Sequence, residues 1–238
     1  MYTDADPCEH QPLTLYQINA RLWLRELGVA RLRDVPDAAL DDLRARGFDI
    51  VWLMGVWTPS ATSAKLAARP ELFANYRIDL PDVTPEDIDA SPYAIAGYEL
   101  SPRLGPPEDL DHLRARLHQR GLRLVLDFVP NHTALDHPFT TQRPELYAAP
   151  PPHGPAPHPE DVFTPPGGAR ALFHGRDPHF PPWNDTAQVD YRRADTHVAM
   201  TEELLRVAAR CDGVRCDMAM LMLSDVFART WDGRSPPP

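Results

Sequence analysis

The chain has 238 residues, 43% hydrophobic and 24% charged, with 34 acidic against 24 basic side chains and a formal net charge of −10. That composition can bury the core of one large domain or two small ones, and it excludes global disorder. The acidic balance argues against a nucleic-acid partner, which needs clustered Lys and Arg to displace phosphate counterions, and leaves a small molecule as the better fit.

In chain order, MYTDADPCEH carries neither a basic nor an apolar leader, and no run of eighteen apolar residues follows, so a soluble cytoplasmic chain without membrane contact is expected. Cys8, Cys211 and Cys216 lack Cys-x-x-Cys spacing and read as buried, inert thiols. The apolar run Leu13 to Ile18 reads as a first strand. Asp34 is expected to cap a helix opened by Pro36, with Leu40 and Leu43 on one face and Gly47 as its stop; the run Phe48 to Met54 is the second strand. After an insertion from about Thr58 to Gly105, Pro107 starts a helix with Leu110, Leu113 and Leu117 in phase. Gly121 ends it, and Leu122 to Phe128 is too continuously apolar for a half-exposed strand.

A second insertion, Thr133 to Arg193, holds 13 prolines between Pro138 and Pro182 and is expected to lack regular secondary structure. Its aromatics Phe163, Phe173, Phe180 and Trp183 favour a functional loop over a bland linker. A third helical unit runs from Asp195 through Val198, Leu204, Leu205 and Ala208 to the strand Gly213 to Asp217, and a fourth helix covers Ala219 to Thr230. Strands alternating with helices predict a parallel α/β fold.

In such folds the chemistry sits at the carboxyl ends of the strands. The third strand ends in Asp127-Phe-Val-Pro-Asn131-His132, a carboxylate, an amide and an imidazole after an apolar run. In the fourth, alternation puts Arg215 and Asp217 on one side, where the guanidinium can hold the carboxylate ionised and oriented as a nucleophile requires. Each residue alone has an ordinary structural reading, as a turn residue, a satisfied histidine or an ion pair. Their placement at successive strand ends shifts the balance toward a site.

DFVPNH (Asp127 to His132) resembles the first signature of the α-amylase family, glycoside hydrolase family 13, and GVRCD (Gly213 to Asp217) resembles its second. SPYAIAGYELSPRLGPPEDL, LHQRGLRLVLDFVPNHTALDHPF and WNDTAQVDYRRADTHVAM extend the resemblance over most of Leu13 to Trp231 in the family's order. The resemblance implies a partial TIM (β/α)8 barrel: strands 1–3 within residues 1–132, the Pro-rich insertion over 133–193, and the third helix, fourth strand and fourth helix over 194–238. It implies retaining hydrolysis or transfer of α-glucosidic bonds through two carboxyl groups about 5–5.5 Å apart. Asp217 would be the nucleophile and Arg215 the group beneath it. His132 and Tyr93 would contact the sugar, and Asp127 would support the cluster. Asn131 stands where many relatives ligate a structural calcium; Gly97 and Gln188 stand where acidic residues are common.

The family's general-acid Glu and later Asp would follow a fifth and a seventh strand, and only 21 residues follow Asp217. The expectation is therefore a first half-barrel, inactive alone, that pairs with a complementary half or with itself. The alternative is a non-catalytic carbohydrate-binding or regulatory remnant that keeps Tyr93, His132 and Trp183. A metal-dependent hydrolase built on His132, His137, His153, His158, His174 and His179 fits poorly, because those spacings match no helical ligand pair.

Overall fold

Thr14 fastens the chain before the first strand. Its backbone N–H and hydroxyl donate to the Asp49 carboxylate at 3.0 and 3.1 Å. The computed structural model describes residues 12–153 and 156–235; Cys8 and the leader segment lie outside them. Strand β1 (Leu15–Asn19) therefore begins later than the apolar run suggests, and the Asn19 side chain caps helix α1 (Ala20–Leu27). Helix α2 (Asp37–Ala45) is not capped by Asp34, which lies in a separate 3-10 turn, Leu32–Asp34. Pro36 takes the N-cap position with extended ψ, so the helix starts one residue after it. Leu40 and Leu43 are buried, and Gly47, at φ +87°, turns the chain into β2 (Ile50–Met54).

The first insertion is ordered around a two-stranded antiparallel pair, β3 (Trp57–Pro59) with β4 (Ile95–Leu100), between which lie helices α3 (Ala61–Ala67) and α4 (Pro70–Asp79). Helix α5 (Pro107–His118) has Pro107 in its first turn and buries Leu110, Leu113 and Leu117, each side chain worth about 1.5–3 kcal/mol of transfer from water. Gly121, at φ +70°, reverses the chain into β5 (Arg123–Phe128).

The Pro-rich segment does contain regular structure, contrary to expectation. Strand β6 (His132–Ala134), helix α6 (Phe139–Gln142), and strands β7 (Val162–Phe163), β8 (Leu172–Gly175) and β9 (Trp183–Gln188) build an antiparallel sheet in the order β6-β9-β8-β7. No proline falls within any of these strands; they sit in the connections, where a missing N–H breaks no ladder.

Helix α7 (Ala194–Ala209) corrects a second expectation. Thr196, Ala199, Met200, Glu203 and Val207 face inward, while Val198 and Leu205 are 59% and 63% exposed. The i, i+3, i+4, i+7 stripe runs through polar Thr196 and Glu203, so apolarity alone selected the wrong face. After β10 (Gly213–Cys216) the expected single helix is broken: Ala219–Met222 is a 3-10 turn, Leu223 is extended, and α8 (Ser224–Trp231) begins afresh. Phe227 and Trp231 of α8 pack with Ala148 and Phe173 of the insertion, so the segment after β10 braces that sheet.

The four strands β1-β2-β5-β10 form one parallel sheet. Val51, Leu53, Leu124 and Leu126 are buried on one face, whereas Ile50, Trp52, Met54, Val125 and Arg215 on the other are half-buried. As edge strands, β1 and β10 leave residues uncovered: Leu15 and Tyr16 are exposed, and so is Cys216, which corrects its reading as a buried thiol. Cys211 is buried as expected.

Candidate active site

Parallel register sets Arg215 opposite Asp127 across β10 and β5, and the ladder continues through Asp217 N–H donating to Phe128 O at 2.8 Å. One guanidinium nitrogen, Arg215 Nη1, donates to Asp217 Oδ1 at 2.5 Å and to Asp127 Oδ1 at 3.3 Å. Both carboxylates are buried. The structure thus brings together the three charged groups singled out from the sequence. Met218, directly after Asp217, is the one non-glycine residue with positive φ (+53°) among the described residues, a left-handed turn that costs about 1–2 kcal/mol.

Two aromatic faces flank the guanidinium. The Arg215 carbon lies 4.9 Å from the Trp52 ring centroid and 5.2 Å from that of Tyr93. Trp52 Nε1 also donates to Asp127 Oδ2 at 3.1 Å, and the Tyr93 hydroxyl donates to Met54 Sδ at 3.2 Å. Sequence reasoning missed Trp52, although alternation along Ile50, Trp52 and Met54 puts it on the face that bears Asp127. Behind the cluster, Trp57 Nε1 donates to Asp127 O at 2.7 Å, and the Tyr98 hydroxyl accepts from Val129 N–H at 2.9 Å, so the strand end is bolted from the first insertion.

Burial dominates the electrostatics. It raises the Asp127 carboxyl to about 6, against the pull of Trp52 and Arg215. It also raises Asp217, with the Arg215 charge and hydrogen bond opposing, so the guanidinium moderates that rise. Burial lowers the His132 imidazole to about 4, so it is neutral at pH 7. That ring makes an edge contact with Trp183 at 5.1 Å between centroids.

Asn131 does not suit calcium. Its Oδ1 accepts from Gln188 Nε2 at 3.0 Å and its Nδ2 faces Gln188 Oε1 at 3.5 Å, so the two buried amides satisfy one another and contribute no carboxylate. Among the described residues, no three His, Cys, Asp or Glu side chains cluster in a way that would hold a metal.

Residues 38–153 match the family model "Alpha amylase, catalytic domain". The mouse (Mus musculus) amino acid transporter heavy chain SLC3A1 is 42% identical over 48 residues, 20% of this chain and 7% of that protein. The 1,4-alpha-glucan branching enzyme GlgB of Methylococcus capsulatus is 28% identical over 134 residues, 55% of this chain and 14% of that enzyme. An alpha-amylase crystal structure from Lactobacillus plantarum superposes with a TM-score of 0.60 at 22% identity, covering 92% of this chain and 41% of that one. The chain therefore spans well under half of the proteins it matches. Its α/β fold has a parallel sheet resembling part of the amylase barrel. Over residues 38–153 the chain is thus similar to the α-amylase catalytic domain, and its fold resembles part of that barrel.

Proposed function

We propose that the site acts on α-glucosidic bonds by retaining glycosyl transfer, to water or to an acceptor sugar, with Asp217 as nucleophile. The observation that carries this is the Arg215 guanidinium bonded to both Asp217 and Asp127 at adjoining strand ends, between the Trp52 and Tyr93 rings. In this reading Tyr93 stacks on the sugar, neutral His132 hydrogen-bonds it, and Asp127 orients the cluster. Asp127 serves as an acceptor, because both its oxygens already take hydrogen bonds. Protonation of the leaving group falls to a residue outside this set, in cis or on a complementary half meeting the open edges of β1 and β10; self-association along those edges would compete. Without such an acid, the 238-residue polypeptide has no steady turnover of aryl α-glucosides.

A leaving group that needs no proton isolates the nucleophile. With 5-fluoro-α-glucosyl fluoride, an Asp217 Oδ would bond to C1 as the C1–F bond breaks and fluoride departs with its electron pair; the ring fluorine then slows hydrolysis of the ester. Intact-protein mass spectrometry should show one added fluoroglucosyl group, mapped to the peptide bearing Asp217 and absent from Asp217→Asn. No adduct on the folded protein refutes the assignment. The mouse relative carries the name of an amino acid transporter heavy chain rather than of a glycosidase, which favours a second, non-catalytic reading, here a module that keeps Tyr93, His132 and Trp183 for binding sugar without turnover. Maltose binding retained in Asp217→Ala, with no adduct in the unaltered protein, selects it.

A further inference from the structure

Gln188 at the end of β9 is fully buried, and Asn131, just before β6, is 1% exposed. The Gln188 Nε2 lies 3.0 Å from each of three oxygens: Asn131 O, Asn131 Oδ1 and Val189 O. Two of these are backbone carbonyls, which only accept, so the end of the amide facing them is the NH2. The opposite end, Oε1, accepts from Asn131 Nδ2 at 3.5 Å and from the Arg176 backbone N–H at 3.4 Å. Three carbonyl oxygens converging on one buried point is a donor set that suits a hard divalent cation. Here an uncharged NH2 fills that point. The next residue is His132, whose Nδ1 is 3.3 Å from Asn131 Nδ2, so whatever fixes Asn131 fixes the imidazole.

We infer that Gln188 is a positioning residue whose carboxamide takes the place of a cation, fastening the Asn131-His132 turn to β9 and to the Arg176 backbone without metal. The inference is independent of the glycosyl-transfer reading, because its test reads stability. Gln188→Glu keeps the shape of the side chain but sets a carboxylate oxygen against three carbonyl oxygens, a cage that only a proton or a cation can relieve.

The test is thermal unfolding of the 238-residue protein in chelator and in millimolar calcium. The wild-type midpoint should agree within about 1 °C between the two, while Gln188→Glu should fall by about 3–8 °C in chelator and regain at least half of that loss with calcium. Calcium rescue is a readout that a merely space-filling glutamine would not give. A wild-type midpoint raised several degrees by calcium overturns the inference, as does a Gln188→Glu midpoint equal to wild type in chelator or a loss that calcium leaves untouched. Should Gln188→Glu fail to fold, equilibrium dialysis of wild type against calcium decides: no bound calcium upholds the inference, and stoichiometric binding lost in Asn131→Ala refutes it.

Discussion

Among the described residues, Trp52 supplies the one neutral donor to a buried carboxylate that otherwise leans on Arg215. Its N–H pulls the Asp127 carboxyl down against burial, so Trp52→Phe, which keeps the aromatic face beneath Arg215, should move Asp127 further above 6. The cost falls on the ionised form. Trp52→Phe should lose roughly 1–3 kcal/mol at pH 8 and progressively less below pH 6, as a protonated Asp127 no longer needs the donor. Urea unfolding at both pH values, with the Asp127 carboxyl followed by NMR, checks this; a cost that does not change with pH counts against it. Asp127, Arg215 and Asp217 were legible in the sequence because a strand's two-residue period fixes which side chains share a face. The Asn131–Gln188 clasp was not, since it joins residues 57 apart whose meeting depends on the pairing of β6 with β9.

Within the elements, proline density misled because it measures connections rather than strands. The insertion sheet forms from the proline-free stretches, and its closest approach is at Gly175, opposite Trp183 on β9. A Cβ there would lie 2.5 Å from Thr186 Oγ1, 3.2 Å from His132 Cβ and 3.3 Å from Trp183 Cε3. Gly175→Ala should therefore cost about 1–3 kcal/mol by overpacking, and it should disturb the His132–Trp183 contact at the same time. Gly97→Ala is the matched control: a Cβ there meets nothing within 4 Å, so stability should stay within about 1 kcal/mol or rise. Equal losses in urea midpoint for the two variants would refute the steric argument. The helix α7 stripe was misread for a related reason, since burial follows position on the turn and not hydrophobicity residue by residue. Glu203 is carried inside by its phase, and burial raises its carboxyl with Arg206 in opposition.

Across the whole molecule, buried titratable groups on the insertion and at the strand ends set opposing pH demands. His132 and His137 are both lowered by burial to about 4 from an ordinary 6.5, so the unfolded chain binds their protons first as the pH falls. Each therefore contributes stability that is fully present above pH 6.5 and is lost toward pH 4, up to roughly 3 kcal/mol apiece. Asp127 works the other way. Raised to about 6 from 3.8, it penalises the folded state above pH 6 and relieves it by a similar amount on the way down. The two large histidine shifts outweigh the one large carboxyl shift, with His174, also lowered, set against Asp217 and Glu203, also raised, so the urea midpoint should fall between pH 6.5 and 4. In the double variant His132→Asn, His137→Asn the raised carboxyls Asp127, Asp217 and Glu203 are opposed by His174 alone, which burial also lowers, and the slope over that window should reverse, with stability rising as the pH drops. Whatever the substitutions subtract from stability at neutral pH, the sign of that slope is the readout. An unchanged downward slope would place the acid sensitivity in other buried groups such as His174, which burial also lowers; ion pairs such as Asp87 with Arg25, where the carboxyl is held near 2, act only at still lower pH.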